Sequence, residues 1–198
     1  MKIYHNNISK NLKLCSLLAI VIVLQGCVAA AVVGVGTSVK VATDRRSVGN
    51  QIDDQTIELN AYAKLNKNKA LNKNTNIQMV ALNGTLLVIG QAPTEPLRDS
   101  VLKIVNSIEG VTKIYNQIRL ANTISILTKS NDAWLTSKVK VALLADDKID
   151  GTNIKVVTEN AEVFLMGLVN RSEADEAVNI ARNVNGVNRV LKAFEYRQ

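Results

Sequence analysis

The sequence predicts an α/β protein of the α+β sandwich kind: two tandem α-β-β-α-β units, each a small three-stranded sheet with two helices, behind an export signal and a tether. Three observations predict it. A short apolar segment behind basic residues ends at a cysteine. A hairpin followed by a helix occurs twice at a near-constant spacing. Around those hairpins, apolar residues switch from strand runs to helical periodicity.

The N-terminus comes first. Lys2, Lys10 and Lys13 precede an uncharged run from Leu14 to Leu24, which leads into Leu24-Gln25-Gly26-Cys27. A positive segment, a short apolar segment and a small residue before a cut describe a secretory signal. Leu-x-Gly-Cys resembles the lipobox of bacterial lipoproteins. That resemblance implies cleavage of residues 1–26, a diacylglycerol on the Cys27 thiol and an acyl chain such as palmitate on the new amine. Acyl burial stabilises by about 0.8 kcal/mol per CH₂, so several chains hold where one does not. The other reading is a membrane-spanning helix, because no charge occurs between Lys13 and Lys40 and a span needs about 20 residues. Against it, Ala29 to Gly36 is small and glycine-containing. Residues 27–47 read as acylated N-terminus and tether, with Asp44-Arg45-Arg46 at the wet end. Val28 is not the aspartate that resembles an inner-membrane retention signal, which implies export to the outer membrane, facing the periplasm.

Composition limits the chemistry. Removing Lys2, Lys10 and Lys13 with the signal leaves 21 basic against 17 acidic residues, a net charge of +4 instead of +7. That suits an anionic membrane surface and lies well below a dedicated nucleic-acid binder. Aromatic residues make up 4 % of the chain, so the cores have to be aliphatic. Cys15 and His5 leave with the signal and Cys27 is acylated. No disulfide, thiol nucleophile, zinc site or histidine base is therefore expected, and no cofactor or enzymatic activity.

The first unit is expected over residues 48–121. Asp53 or Asp54 is placed to cap a helix running to about Lys64. A Lys/Asn-rich loop, 64–74, follows. Ile77 to Leu82, Asn83-Gly84 and Thr85 to Gly90 form a hairpin signal, since Asn-Gly supplies the positive φ angles of a two-residue turn. Pro96 to Ile108 has apolar residues at helical spacing, Gly110 closes it, and Val111 to Leu120 is a strand. After a linker at 122–130, the second unit fills 131–198. Asn131 or Asp132 caps a helix to about Ala145. Ile154–Thr158 and Ala161–Gly167 repeat the hairpin, with Ile77 matching Ile154 and Gly90 matching Gly167 at an offset of 77. Ser172 caps a helix to Val184, Gly186 closes it, and Val187–Tyr196 is the last strand. Two helices on three strands make a small core, so the units should touch.

This pattern, Val88-Ile89-Gly90 to Gly110-Val111 and Phe164-Leu165-Met166-Gly167 to Gly186-Val187, resembles the BON family. The resemblance covers essentially the whole mature chain. It implies a non-enzymatic envelope protein that associates with anionic phospholipid, supports outer-membrane integrity and acts at the division site.

The candidate chemistry is weighed on the residues. Asp53-Asp54, Asp146-Asp147 and Glu173/Asp175/Glu176 lie at expected helix ends, where acids at helix starts complement the dipole. Gly34-Val35-Gly36 lacks the remaining residues of a phosphate loop. Lys64, Lys67, Lys69 and Lys73 read as a solvated loop or a polyanion contact, with no aromatic to stack on bases. The first helix of the second unit is more informative. Leu135, Val139, Ala142 and Leu143 form its buried stripe. Trp134 then points outward, with Ser137, Val141 and Leu144 on the same side and Lys138 and Lys140 at the flanks. An exposed indole bordered by aliphatics and lysines describes an interfacial membrane helix. The sequence-based expectation is a lipid-anchored module that binds phosphatidylglycerol or cardiolipin through these six residues. Two alternatives stand: Trp134 packs on the first unit or the last strand, or the surface binds an envelope or cell-division protein as a regulatory scaffold of cell-wall remodelling. No nucleic-acid partner is expected.

Overall fold

The computed structural model describes residues 45–197; Cys27, the signal and the Ala29–Gly36 stretch lie outside the described residues. Repeat one contains α1 (Val48–Lys67), α2 (Lys69–Asn74), β1 (Asn76–Leu82), β2 (Thr85–Ala92), α3 (Glu95–Val105) and β3 (Lys113–Leu120). Repeat two contains α4 (Ile126–Leu144), a 3-10 turn (Gly151–Asn153), β4 (Ile154–Glu159), β5 (Glu162–Val169), α5 (Arg171–Arg182) and β6 (Arg189–Tyr196). In each sheet the middle strand is antiparallel to the first and parallel to the third. Ile77 faces Gly90 and Ile154 faces Gly167, so the duplicated hairpins align residue for residue. Each glycine admits the backbone of its neighbour: a Cβ on Gly90 (φ +123°) would lie 1.9 Å from the Asn76 carbonyl oxygen, and one on Gly167 2.6 Å from that of Asn153.

The first helix of each repeat begins before the acids expected to cap it. Ser47 caps α1 by accepting from the Asn50 amide, and Ser125 caps α4 by accepting from that of Thr128. The expected linker at 122–130 is thus helical from Ile126. Asp54 and Asp132 sit inside the helices, on the faces that bury Ile57, Ala61 and Leu65 or Leu135, Val139 and Leu143. Each carboxylate accepts both central N–H groups of its hairpin turn. Asp54 takes Asn83 and Gly84 at 2.7 and 2.9 Å; Asp132 takes Asn160 and Ala161, each at 2.8 Å. The two carboxylates are buried, 3 % and 4 % exposed, and a buried charge needs such donors. All four turn residues have positive φ, including Ala161 at +60°.

The segment expected as a loop at 64–74 is helical too. Asn68 caps α2 by accepting from Leu71, and buried Leu71 pulls the segment onto the core. Lys64 donates to the Ser107 carbonyl oxygen at 2.8 Å, beyond the end of α3. Asn170, not Ser172, caps α5, in a capping box with Glu173.

Every residue of β2 is buried, because the strand has a core on each face. Met79, Ala81, Leu86 and Val88 pack under α1 and α3. Val80, Leu82, Leu87 and Ile89 meet Val157, Phe164, Met166 and Ala193 of repeat two. The layers run helices, sheet, sheet, helices, as the expected contact between the units requires. A polar rim surrounds this apolar seam. Arg119 at the end of β3 pairs with Glu162 at the start of β5. At the equivalent places, Glu195 of β6 accepts from Thr85 of β2 at 2.8 Å and from the Asn83 side chain at 2.6 Å.

Candidate functional site

Helix α4 buries one face against β4, so the opposite face is open. Trp134 is 60 % exposed, Val141 66 % and Leu144 57 %. Ile126 and Leu127, at 84 % and 80 %, extend the same surface to the N-terminal end. Leu127, Trp134 and Val141 are spaced by seven, which drifts only about 20° per interval and makes one line. At about 1.5 Å per residue the line is roughly 21 Å long. Ile126 and Leu127 fall in the segment that the sequence reads as a linker, so periodicity does not place them on this face. Their signal is Ser125, an N-cap residue directly before them.

Trp134, Ser137, Lys138 and Val141 come together with Ala142, Ala145 and Val184 around a shallow depression of about 470 Å³. All of these residues belong to repeat two, so the indole lies neither in the seam nor on the last strand. The Lys138 ammonium sits 3.7 Å from the centroid of the Trp134 ring and donates to the Asn185 carbonyl oxygen at 2.5 Å. A cation over an indole face is attracted by the ring quadrupole. Lys138 is therefore fixed at the border of the stripe. Lys140 and Leu144 lie on the other flank, where they line a second depression with Arg45 and Arg46. The structure thus divides the six predicted residues: four share one depression and two belong to another.

The matching face of α1 differs. Thr56 takes the place of Trp134, and Tyr62 that of Lys140. The Tyr62 hydroxyl accepts from the Met79 amide at 2.9 Å and donates to the Met79 carbonyl oxygen at 3.3 Å. Burial raises its pKa above the ordinary tyrosine value.

Asp54, Glu173 and Glu159 have structural partners. Asp54 holds its turn and pairs with Arg46 at 2.6 Å. Glu173 caps α5 and takes the Arg45 guanidinium, which holds its carboxyl below the ordinary range. Glu159 is pushed the other way by burial in the seam rim. No group of three His, Cys, Asp or Glu among the described residues has metal-ligand geometry, and no described helix is long and apolar enough to cross a membrane.

The chain is 40 % identical to the outer membrane lipoprotein DolP of Haemophilus influenzae over 184 residues, spanning 93 % of this chain and 95 % of that protein. It is 43 % identical over 155 residues to the 21 kDa hemolysin of Actinobacillus pleuropneumoniae, covering 78 % and 80 % of the two chains. It is 30 % identical over 154 residues to the osmotically-inducible protein Y of Escherichia coli, covering 76 % of each. The BON domain matches at residues 53–122 and again at 131–198, one match to each repeat. With both repeats matched, the chain belongs to the BON-domain family.

Proposed function

We propose that the protein is a lipid-anchored module of the outer membrane, held by acyl chains on Cys27 and facing the periplasm. Its second repeat binds anionic phospholipid, and in that role it supports envelope integrity and acts at the division site. The observation that carries this reading is the Leu127–Trp134–Val141 line: solvent-facing apolar side chains along about four helical turns, edged by Lys138. A globular domain has no internal use for it, whereas an interfacial helix needs an apolar strip at headgroup depth with cations beside it. The Leu-Gln-Gly-Cys motif and the likeness to a protein named as an outer membrane lipoprotein support the location.

Vesicle flotation tests it. The described residues lie in one compact body, so a chain starting at Asp44 keeps its cores and helix caps. That chain should float with phosphatidylglycerol or cardiolipin vesicles and stay behind with phosphatidylcholine. A chain that ignores both kinds turns the same surface into a docking face for an envelope protein and gives the scaffold reading.

A further inference from the structure

The second depression, about 360 Å³, lies on the flank of α4 away from Trp134. Among the described residues, four cations line it, Arg45, Arg46, Lys140 and Lys155, and no carboxylate does. Three of the four are held from behind by acids outside the lining: Arg45 by Glu173, Arg46 by Asp54 and Lys155 by Glu58. Lys140 makes no ion pair among the described residues and stands at the wall with its ammonium unspent. The floor is shaped by a close approach. A Cβ on Gly151 would lie 2.4 Å from the Leu143 carbonyl oxygen, so the 3-10 turn packs flat against the end of α4. Leu144 forms the edge towards the exposed helix face.

We propose that this depression binds a phosphate group, that of an anionic phospholipid whose acyl chains leave over Leu144. The inference rests on the membrane reading of α4 and adds a defined headgroup site to it. Its physical basis is preorganisation. Cations already fixed by back-side partners lose little freedom when an anion arrives, and Lys140 supplies the uncompensated charge. The tether supports the lipid source. Arg45, the first described residue, is part of the lining and stands 18 positions after Cys27. At about 3.5 Å per extended residue, that length of chain easily spans from an acylated cysteine in the bilayer to this site. The anchor and the phosphate site thus address the same leaflet.

Amide NMR on the chain from Asp44 decides the matter with three probes: dihexanoyl phosphatidylglycerol below its micelle concentration, glycerophosphoglycerol without acyl chains, and inorganic phosphate. The phospholipid and glycerophosphoglycerol should shift Lys140, Gly151, Thr152 and Asn153. Lys140→Gln should weaken that response about fivefold, as expected for one cation near an anionic group. Lys103→Gln, on α3 of repeat one, should leave it unchanged. Equal affinity for inorganic phosphate overturns the lipid source. Shifts confined to Leu127, Trp134 and Val141, or a Lys140→Gln chain that responds like the parent, overturn the site while leaving the α4 stripe intact. Flotation that fails while glycerophosphoglycerol still shifts the Gly151 turn removes the membrane reading and not the phosphate site.

Discussion

The Arg45 guanidinium grips the Glu173 carboxylate through two hydrogen bonds, 2.9 and 2.7 Å, across 128 residues of chain. Arg45 also donates to the Leu168 carbonyl oxygen at 3.3 Å, and its backbone amide donates to the Asn153 side chain at 3.2 Å. The end of the tether is thereby fastened to repeat two just before it starts repeat one. Arg45→Ala should cost about 1.5–3 kcal/mol at pH 7, the range for hydrogen bonds to charged groups. The hydrogen bond from Arg45, then the cap to Asn170 and the Arg197 charge, lower the Glu173 pKa against some opposing desolvation. A lowered carboxyl pKa stabilises above the unfolded value, near 4.5, and the contribution disappears as pH falls through the lowered folded value. Urea midpoints of parent and variant should therefore converge in strong acid; a constant gap from pH 7 to pH 2 contradicts the pairing.

Asp54 and Asp132 carry the two hairpin turns. Asp132→Ala removes the buried carboxylate that accepts both turn N–H groups, and the loss should be roughly 1.5–3 kcal/mol. Ala161→Gly should act oppositely. It relieves a left-handed Ala that repeat one avoids by having Gly84 there, and should gain up to about 1 kcal/mol. Chemical denaturation measures both, and a destabilised Ala161→Gly chain would show that the Ala methyl is needed.

Gly90 tolerates no side chain. A methyl at this position would meet the Asn76 carbonyl oxygen at 1.9 Å, and φ is +123°, so Gly90→Ala has to separate β1 from β2. It should lose well over 3 kcal/mol, in the range of exceptional single changes. A thermal melt of the variant that overlays the parent refutes the pairing of Gly90 with Ile77.

On α4, Trp134→Glu and Leu127→Glu should each change stability by no more than about 0.5 kcal/mol, as surface changes do. Both should abolish flotation with phosphatidylglycerol vesicles. Emission of the single tryptophan should move to the blue on adding those vesicles and stay put with phosphatidylcholine. Retained flotation by Leu127→Glu would confine the contact to the C-terminal half of the helix.

Glu159 has the opposite sign to Glu173. It accepts from Gln91 at 2.6 Å and Asn76 at 3.1 Å, and desolvation, with Asp132 nearby, raises its pKa above 4.5 despite those hydrogen bonds and Lys129. A raised carboxyl pKa means that ionisation at neutral pH costs stability, and that the cost fades as pH falls through the raised value. Glu159→Gln should therefore raise the urea midpoint at pH 7 and make little difference near pH 4. A lowered midpoint at pH 7 sinks this assignment.

Much of this architecture is legible in the residues. Asn83-Gly84 marks its turn, the offset from Gly90 to Gly167 gives the register, and the unbroken apolar run from Leu86 to Ile89 is what a strand with two cores requires. Helix starts are not legible, because an acid just before an apolar stripe looks like a cap while Asp54 and Asp132 are members of the stripe itself. Their recurrence at one position in both repeats is the clue. Leu71 looks isolated among lysines and asparagines, yet one buried leucine suffices to order α2. Trp134 can be set on the outer face by periodicity alone. That Lys138 closes over it while Lys140 joins Arg45 depends on the partners each meets, and spacing cannot supply those.

The reciprocity of Arg119 with Glu162 and Glu195 with Thr85 has a further consequence. Each repeat presents to the other the same sheet face that two identical molecules would use in a symmetric dimer. The short connection between β3 and α4 makes that association intramolecular, at an effective concentration in the millimolar range or above, so it does not weaken on dilution. Identity between the partners is then no longer needed. One half can keep a plain Thr56 and act as a permanent lid over Phe164 and Met166, while the other is free to put Trp134 on its outer helix. Tandem linkage has separated the task of being folded from the task of making contact.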